Sequence, residues 1–430
     1  MFFVSVMKGN ASMFSRRSFL KRVVVGSVGI GVVGRGLDRA TAAPDQQSGS
    51  VWSQYKADAG QSARLPAGIG PTGGIQEAWT VSHDRIHDGV AVVNQTVYVG
   101  GKTLVALNAQ NGTAQWSFEP ALPDIDDPGE PLIPDVGSPA VIDGTVYANV
   151  WFGPYDGGTY DTAFIAVDAN TGERQWRIDT GGASSRSFAP PTVTDDTVLT
   201  TMPQGEGYGD GRMVTALDLD GTLRWQTWLD NPYSGSLPVS ENRVYIPTAS
   251  GVRTLDLQTG STVWTALPQV QFQPAAAPLV SDGTVFVAET AEPGVTFIAL
   301  DAATGNEHWR TAYAPDARYS TGIGTVDNER VYLQMGAVDD DVIALDRADG
   351  SERWRAAIDQ PDRKHVPTDG MARVGDLLYV GGAAVDPTDG STVWKHPLPV
   401  AGYGRELSAV AGGRVYVGGQ GLTALTGTTE

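Results

Sequence analysis

A segment that recurs along the chain constrains the fold more than any other feature of the sequence. In one copy it reads VDANTG over residues 167–172 and ends at Trp176, and the same spacing returns six more times. In all seven copies a Gly precedes the Trp by four residues; these Trp residues are Trp116, Trp176, Trp225, Trp264, Trp309, Trp354 and Trp394. A repeat of about 46 residues predicts an array of identical supersecondary units.

A second segment alternates with the first and supplies the remaining strands of each unit. It reads SPAVIDGTVY at 138–147 and APLVSDGTVF at 277–286, and eight copies can be aligned. Asp-Gly pairs between short Val/Tyr runs predict hairpin turns, so each unit should be a sheet of four short antiparallel strands. Radial stacking buries both faces of such sheets. We therefore predict an all-β chain with a single eight-bladed β-propeller over residues 76–430.

The two ends of the repeat array complement each other. The eighth unit stops after GLTALTG at 421–427 without its Trp, whereas EAWTV at 77–81 supplies an isolated strand with Trp79. Pairing of this N-terminal strand with the C-terminal blade would close the ring and remove an open sheet edge. We assign blade packing to Trp79 and to the seven repeat Trp residues.

The first 42 residues resemble a twin-arginine export signal. SRRSFLK at 15–21 precedes an apolar stretch at 23–34 that is too short to span a bilayer, and ATA at 40–42 offers a cleavage site. Residues 43–75 then form a leader before the propeller. We expect export by the twin-arginine route to the extracellular or cell-surface side, with retention as an uncleaved anchor as the alternative. No later stretch is long and apolar enough for a transmembrane segment.

Charge and composition exclude several classes of function. The formal charge is −19, and loss of residues 1–42 removes seven Lys/Arg and one Asp, which leaves −25. Such a charge argues against nucleic-acid binding. The absence of Cys excludes disulfides and thiolate metal sites. An acidic surface with 36 Asp and only six Lys resembles proteins of salt-loving archaea, so we expect a halophilic, haloarchaeal protein that is monomeric.

The repeat also carries a family resemblance. Segments of the type ALDxxTGxxxW resemble the pyrroloquinoline-quinone (PQQ) type repeats of quinoprotein alcohol dehydrogenases and of BamB, a scaffold in outer-membrane barrel assembly. WSQYKADAG at 52–60 is similar to the leader of many such propellers. The resemblance covers roughly residues 50–427. It implies the propeller fold, but it does not choose between a scaffold and a dehydrogenase, because the repeat residues pack blades.

Candidate binding residues lie in the loops that connect blades or project from them. The predicted ligand-binding residues of the central funnel are Arg85, Arg186, Arg318, Tyr319, Arg363, His365 and Arg405. Such a ring would favour carboxylate or phosphate ligands, although each Arg could instead pair with a nearby acid. The predicted partner-binding loop residues are Trp151, Tyr155, Tyr160 and Tyr208. We predict no catalytic residue and no metal site.

These observations favour a secreted, non-enzymatic scaffold that binds proteins or peptides of the cell surface. The alternative is a PQQ-dependent oxidoreductase that holds the anionic quinone in the funnel, with Ca²⁺ only where the quinone is bound. We expect no cofactor under the first hypothesis. A sugar-binding surface built on the aromatic loop at 149–162 is a third hypothesis, which rests on that loop alone.

Overall fold

The structure, a computed structural model, describes the chain from residue 52 to residue 428 with gaps. The described ranges are 52–82, 89–123, 132–153, 160–183, 190–203, 212–229, 236–267, 277–291, 294–313, 321–335, 341–357, 370–396, 406–418 and 421–428. They belong to the compact unit Ser48–Glu430, and a second unit, Met1–Gln47, lies outside them. The regular secondary structure in these ranges consists of β-strands. Within the same ranges there is no helix long and apolar enough to cross a membrane.

The described residues contain 34 strands. They are β1 (Arg64–Leu65), β2 (Ile75–Ser82), β3 (Ala91–Val93), β4 (Thr96–Val99), β5 (Leu104–Asn108), β6 (Ala114–Phe118), β7 (Ile133–Val136), β8 (Ala140–Ile142), β9 (Thr145–Gly153), β10 (Tyr160–Asp168), β11 (Arg174–Ala183), β12 (Thr192–Val193), β13 (Val198–Pro203), β14 (Arg212–Leu217), β15 (Leu223–Leu229), β16 (Val239–Ser240), β17 (Arg243–Thr248), β18 (Gly251–Asp256), β19 (Thr262–Ala266), β20 (Leu279–Ser281), β21 (Thr284–Ala291), β22 (Gly294–Asp301), β23 (Glu307–Tyr313), β24 (Thr321–Val326), β25 (Arg330–Met335), β26 (Asp341–Asp346), β27 (Glu352–Ala357), β28 (Met371–Val374), β29 (Leu377–Val380), β30 (Ala383–Val385), β31 (Thr392–Lys395), β32 (Glu406–Ala411), β33 (Arg414–Gly418) and β34 (Gly421–Gly427).

These strands form eight sheets, which confirms the predicted eight-bladed propeller. Blades 1 to 8 are β3–β6, β7–β11, β12–β15, β16–β19, β20–β23, β24–β27, β28–β31 with β1, and β32–β34 with β2. We name the four antiparallel strands of a blade A to D in chain order, except that β2 serves as strand D of blade 8. Strands A of neighbouring blades contact one another around the ring, so they line the central channel.

The ring closes as the two ends of the repeat array predict. Strand β2 pairs antiparallel with β34, from Ile75 opposite Gly427 to Ser82 opposite Gly421. The hydroxyls of Thr80 and Thr423 lie 3.0 Å apart across this pair. N-terminal and C-terminal segments therefore share one sheet, and the outer edge of blade 8 is formed by the same kind of strand as in the other blades.

Two blades differ from the four-stranded pattern. In blade 2, β7 and β8 both pair with β9, one after the other along its inner edge, and β9 to β11 are unusually long. In blade 7, the short strand β1 pairs parallel with β28 on its channel side. Strand β7 makes blade 2 larger than the other blades. Strand β1 belongs to the leader, so part of the leader is hydrogen-bonded to blade 7 as an additional strand.

The hydrophobic core lies mainly between blades. One cluster joins blades 1 and 2 through residues such as Ala91, Tyr98 and Phe152, and another joins blades 5 and 6 through Phe286 and Ile343. Burial of apolar side chains between sheets is the main favourable term in such a fold. Packing between neighbouring blades therefore contributes to the stability of each blade.

A repeated joint connects each blade to the next. In blade 4, Trp264 Nε1 donates to the carbonyl oxygen of Ala302 in blade 5 at 3.2 Å, and the indole packs on Gly305. The same bond, at 2.7–3.2 Å, recurs in all eight joints: Trp79–Ala109, Trp116–Ala169, Trp176–Leu219, Trp225–Leu257, Trp264–Ala302, Trp309–Arg347, Trp354–Pro387 and Trp394–Pro71. In the last joint, Pro71 of the leader occupies the place of a C–D turn.

Candidate functional site

The strand order gives the ring two unlike faces. A–B and C–D hairpins turn on one face, which we call the hairpin face, and B–C and D–A connections turn on the other, which we call the loop face. Because the strands in a blade alternate in direction, every blade presents the same kind of connection on the same face. The hairpin face is largely described, whereas most connections on the loop face lie outside the described residues.

Most of the residues predicted to bind a ligand or partner lie outside the described ranges, in the sequence between strands B and C or between strands D and A. These are Arg85, Arg186, Arg318, Tyr319, Arg363, His365 and Arg405 for the funnel, and Tyr155 and Tyr208 for the partner loops. Tyr160 begins β10, but its side chain is not described. Whether the five arginines converge stays a prediction.

Trp151 is described, and it does not present an exposed aromatic surface. It lies in β9 with an exposed fraction of 6 %, and its indole packs directly against the backbone of Gly137. Every residue of β9 is buried. The side chain therefore packs inside blade 2, which corrects the expectation that Trp151 is available to a partner or a sugar.

A cluster of metal-ligating side chains is absent from the described part of the ring. No group of three or more His, Asp or Glu side chains among the described residues could hold a metal ion. The one described contact between a His and an acid joins His308 Nε2 and Asp301 Oδ2 at 3.9 Å, on the surface.

The leader is the structural feature that occupies the channel. Residues 52–69 cross the hairpin-face mouth of the channel, and one series of their hydrogen bonds, 2.6–3.1 Å long, follows the blades in numerical order. From blade 1 to blade 8 these contacts join Trp52 to Val92, Ser53 to Val141, Gln54 to Val193, Ala59 to Val239, Gly60 to Val280, Ser62 and Ala63 to Thr325, Ala63 to Arg373, and Ile69 to Gly413. The side chains of Lys56 and Gln61 depart from this order and reach blades 6 and 3.

Three long polar side chains of the leader, those of Gln54, Lys56 and Gln61, are buried at this mouth. Gln54 accepts a hydrogen bond from Val193 N at 2.9 Å and donates to Val193 O at 3.1 Å, so its amide pairs like a neighbouring strand. Gln61 accepts from Ser236 Oγ, and Lys56 Nζ donates to the carbonyl oxygen of Ile323 at 2.7 Å. Buried polar groups need such partners, because an unpaired one costs roughly 1–3 kcal/mol.

A tight turn in the middle of the leader folds on a carboxylate. Asp58 accepts hydrogen bonds from Ser62 N at 3.1 Å and from Ser62 Oγ at 2.5 Å. Burial of the carboxyl raises the pKa of Asp58, although these bonds from Ser62 act in the opposite direction. Lys56, Ala57 and Gln61 have positive φ values of 53°, 72° and 59°, which non-glycine residues adopt only where the surroundings enforce them.

An open polar groove lies beside the leader on the hairpin face. It has a volume of about 1070 Å³ over blades 5 to 7, and a second depression of about 710 Å³ along the leader shares Asp282, Asn328, Glu329 and Arg330 with it. The arginines that line the two depressions are Arg64, Arg330, Arg347, Arg353 and Arg373. Sequence reasoning missed this cluster, because its members come from the leader and from two blades.

Each arginine of the groove has an acidic partner. Asp282 of blade 5 accepts from Arg64 of the leader at 3.3 Å and from Arg347 of blade 6 at 3.0 Å, and the bond from Arg347 is the main reason that the pKa of Asp282 is lowered. Arg373 Nε of blade 7 lies 3.2 Å from Asp327 Oδ2 of blade 6. These three ion pairs connect the leader and blades 5 to 7 with one another. The arginines of these pairs therefore have a structural role in the groove.

Comparison with known proteins agrees with the fold. In solved structures, the chain is similar to quinohemoprotein alcohol dehydrogenase from Comamonas testosteroni (TM-score 0.62, 14 % identity, 89 % of this chain and 81 % of that one). It is also similar to BamB from Moraxella catarrhalis (TM-score 0.56, 17 % identity, 83 % of this chain and 98 % of that one). At these identities the likeness concerns the fold alone.

Two curated proteins match over part of the chain. A putative dehydrogenase XoxF of Paracoccus denitrificans is 32 % identical over 168 residues, which are 37 % of this chain and 26 % of the relative. The serine/threonine-protein kinase AfsK of Streptomyces griseus is 31 % identical over 157 residues, 34 % of this chain and 18 % of the relative. The chain thus spans about a quarter or less of the length of these relatives.

A family profile matches much more of the ring than either relative. It covers residues 61–209 and 209–381, which together are well over half of the chain and run from the leader into blade 7. The chain therefore belongs to the family described as outer membrane protein assembly factor BamB.

Proposed function

We propose that the protein is a non-enzymatic propeller scaffold that binds proteins or peptides of the cell surface. The observation that carries this proposal is the family match over both halves of the ring, because the description of that family names an assembly factor. The solved BamB ring is matched over 98 % of its length and the solved quinohemoprotein alcohol dehydrogenase over 81 %, and both likenesses concern the fold alone. A rigid ring that carries its variable segments on one face suits recognition by loops.

The place of action follows from the N-terminal sequence. The twin-arginine-like segment at 15–21 and the ATA site at 40–42 support export of the folded chain to the outer side of the cytoplasmic membrane. We propose that the mature protein begins near residue 43 and acts there as a monomer. The test is mass spectrometry of the N-terminus of protein isolated from the extracellular and membrane fractions.

Capture of partners tests the scaffold hypothesis directly. Mature protein, immobilised in molar salt, is expected to enrich a defined cell-surface protein from membrane and surface fractions. Arg186→Ala with Arg318→Ala should reduce the captured partner about tenfold, because charge-assisted bonds on the loop face are lost. Arg353→Ala, an exposed arginine of the hairpin face, is the matched control and should leave capture unchanged. Equal capture by both variants would exclude the loop-face arginines as the binding surface.

A quinone-dependent oxidoreductase is the second candidate, and the dehydrogenase relative is the observation in its favour. The residues predicted to hold the quinone lie outside the described ranges, and the proposed scaffold needs no cofactor. Titration with PQQ and Ca²⁺ in high salt separates the two functions. A saturable absorbance change that is lost in the Arg186→Ala, Arg318→Ala variant would replace the scaffold by the oxidoreductase, and no change would exclude the quinone.

A further inference from the structure

The leader residues 52–66 close the hairpin-face mouth of the channel, and their contacts have the properties of ligand recognition. We propose that this segment is a peptide ligand of the ring that is tethered to it by the chain. Its non-covalent contacts with the blades alone are strong enough to hold it in place. The bound segment closes one end of the channel, which becomes a pocket open at the other end only. A molecule that enters the ring would then have to enter from the loop face. This inference does not depend on which partner or cofactor the protein binds.

The first argument is the match between the leader and the open edges of strands A. The inner edge of each strand A faces the channel, where an unpaired N–H group would be costly. The leader supplies carbonyl oxygens to the N–H groups of Val141, Val239, Val280 and Arg373, at 2.6–2.9 Å. A segment without repeats thus satisfies inner strands of four different blades, which requires a defined conformation.

The second argument is that side chains, and not only the backbone, make the contacts. The Gln54 amide exchanges two hydrogen bonds with Val193, and Gln61 Nε2 donates to Thr192 Oγ1 at 3.4 Å in the same blade. Gln54 and Gln61 have exposed fractions of 5 % and 1 %. A backbone-only contact would accept any sequence, whereas these two buried amides select for glutamine at both positions.

The third argument is that the segment is folded to fit. The turn on Asp58 brings the N–H of Ala63 to 3.0 Å from the carbonyl oxygen of Lys56, which doubles the chain back inside the mouth. Left-handed φ values at Lys56, Ala57 and Gln61 would be unfavourable in a free peptide. The ring must therefore compensate this cost, and the segment should lose its structure when it leaves the channel.

The exposed connection after the segment makes the proposal testable in the full chain. Residues 66–68 are exposed, so a specific protease site can be inserted after Ala67 without touching the contacts. After cleavage of the folded protein, the fragment that ends at Ala67 is held by non-covalent contacts alone. We expect it to co-elute with the ring in gel filtration, and immediate separation would overturn the proposal.

Exchange with a labelled peptide measures recognition without emptying the ring. A fluorescent peptide of residues 52–67 should enter the cleaved protein saturably and should not enter the uncut protein, where the tethered segment competes at high effective concentration. If the labelled peptide bound equally well to uncut protein, the proposal that the tethered segment occupies the mouth would be wrong. Introduction of Gln54→Ala and Gln61→Ala into the peptide should weaken binding about 10- to 100-fold. Arg64→Ala, which removes an exposed ion pair with Asp282 and an exposed hydrogen bond to Asn328, is the matched control and should bind nearly as wild type.

A single cysteine tests whether the segment seals the channel. The chain has no Cys, so Thr192→Cys provides a unique thiol beneath Gln61 at a position with 1 % exposure. Uncut protein should react with a maleimide slowly. Cleaved protein freed of its fragment should react at least about tenfold faster, and added peptide should restore the slow rate. Fast labelling of uncut protein, or no protection by the peptide, would show that the segment does not close the mouth.

Discussion

At the scale of single residues, the Trp–Gly joint explains why the repeat has its spacing. The Gly four residues before each repeat Trp has a left-handed φ, and it lies under the indole of the preceding blade. A Cβ on Gly305 would lie 2.7 Å from Cε3 of Trp264, closer than van der Waals contact permits. The sequence shows the spacing within one repeat, but the partner indole lies one blade earlier, so only the structure shows what the Gly contacts.

Gly305→Ala should therefore destabilise the protein more than Gly283→Ala, its matched control in the same blade. The two glycines have φ values of +75° and +74°, but a Cβ on Gly283 would have no atom within 4 Å. The control should cost about 1 kcal/mol for the left-handed conformation, and Gly305→Ala should cost about 1–3 kcal/mol more for the clash with Trp264. Chemical denaturation measures both, and equal losses would mean that the indole moves aside freely.

A buried carboxylate links blades 6 and 7 and should make stability depend on pH. Burial alone would raise the pKa of Asp327, but bonds from Tyr332 Oη at 2.6 Å, from two backbone N–H groups and from Arg373 outweigh it and lower the pKa below 3.8. A lowered folded-state pKa stabilises the fold above about pH 3.8, and this contribution is lost as the pH falls through the folded-state value.

Asp327→Asn should accordingly lose about 1–3 kcal/mol near neutral pH, and its deficit relative to wild type should shrink as the pH falls below about 4. The measurement is the midpoint of thermal unfolding across an acid series. Asp376→Asn, exposed in the A–B turn of blade 7, is the control and should change the midpoint little. A deficit for Asp327→Asn that grows toward acid would contradict the assignment.

At the scale of elements, the repeated strands were predictable and the irregular ones were not. Hairpin turns and period-2 patterns determine strands A to D locally, and the missing Trp in the last unit indicated that β2 would pair with β34. Strands β1 and β7 have no counterpart in the repeat. The path of the leader was not predictable either, because it depends on contacts with all eight blades and on left-handed residues that are not glycine.

A disulfide across the closure should stabilise the ring strongly. Thr80 and Thr423 are directly opposite in the pairing of β2 with β34, and they are 343 residues apart in sequence. In a chain without cysteines, Thr80→Cys with Thr423→Cys should form one bond and add up to about 4 kcal/mol when oxidised. The reduced double variant and the single Thr80→Cys variant should match wild type within about 1 kcal/mol. No gain on oxidation would contradict a stabilising role for the link between the two ends of the ring.

At the scale of the whole molecule, the sequence determined the architecture better than the candidate site. Fold class, blade number and ring closure follow from a repeat that is present in every blade. The predicted funnel residues, such as Arg186 and Arg318, lie outside the described residues, and the hairpin-face groove was not anticipated. Arg64, Arg347 and Asp282 meet only because the leader and blades 5 and 6 come together, and no local pattern encodes that meeting.

The net charge of −19 should make the stability of the whole ring depend on salt. Raising KCl from about 0.1 M to about 2 M shortens the Debye length from about 10 Å to below about 3 Å, so repulsion among surface carboxylates is screened. The unfolding midpoint should rise over this range. A variant with Glu77→Gln and Glu173→Gln, both exposed, should show a smaller rise. A midpoint that falls with KCl would instead indicate that the ion pairs of the hairpin face dominate.

The contacts of the leader with all eight blades have a consequence for how the number of blades can change in evolution. Propellers gain and lose blades by duplication and deletion of repeats, and a ring of identical units tolerates such changes in principle. Here a stretch outside the repeats makes at least one hydrogen bond with every unit, from Trp52 at blade 1 to Ile69 at blade 8. An inserted unit would widen the mouth and leave one inner strand without its acceptor. The leader therefore fits a ring of eight units, and a ninth unit would lack its contact with the leader.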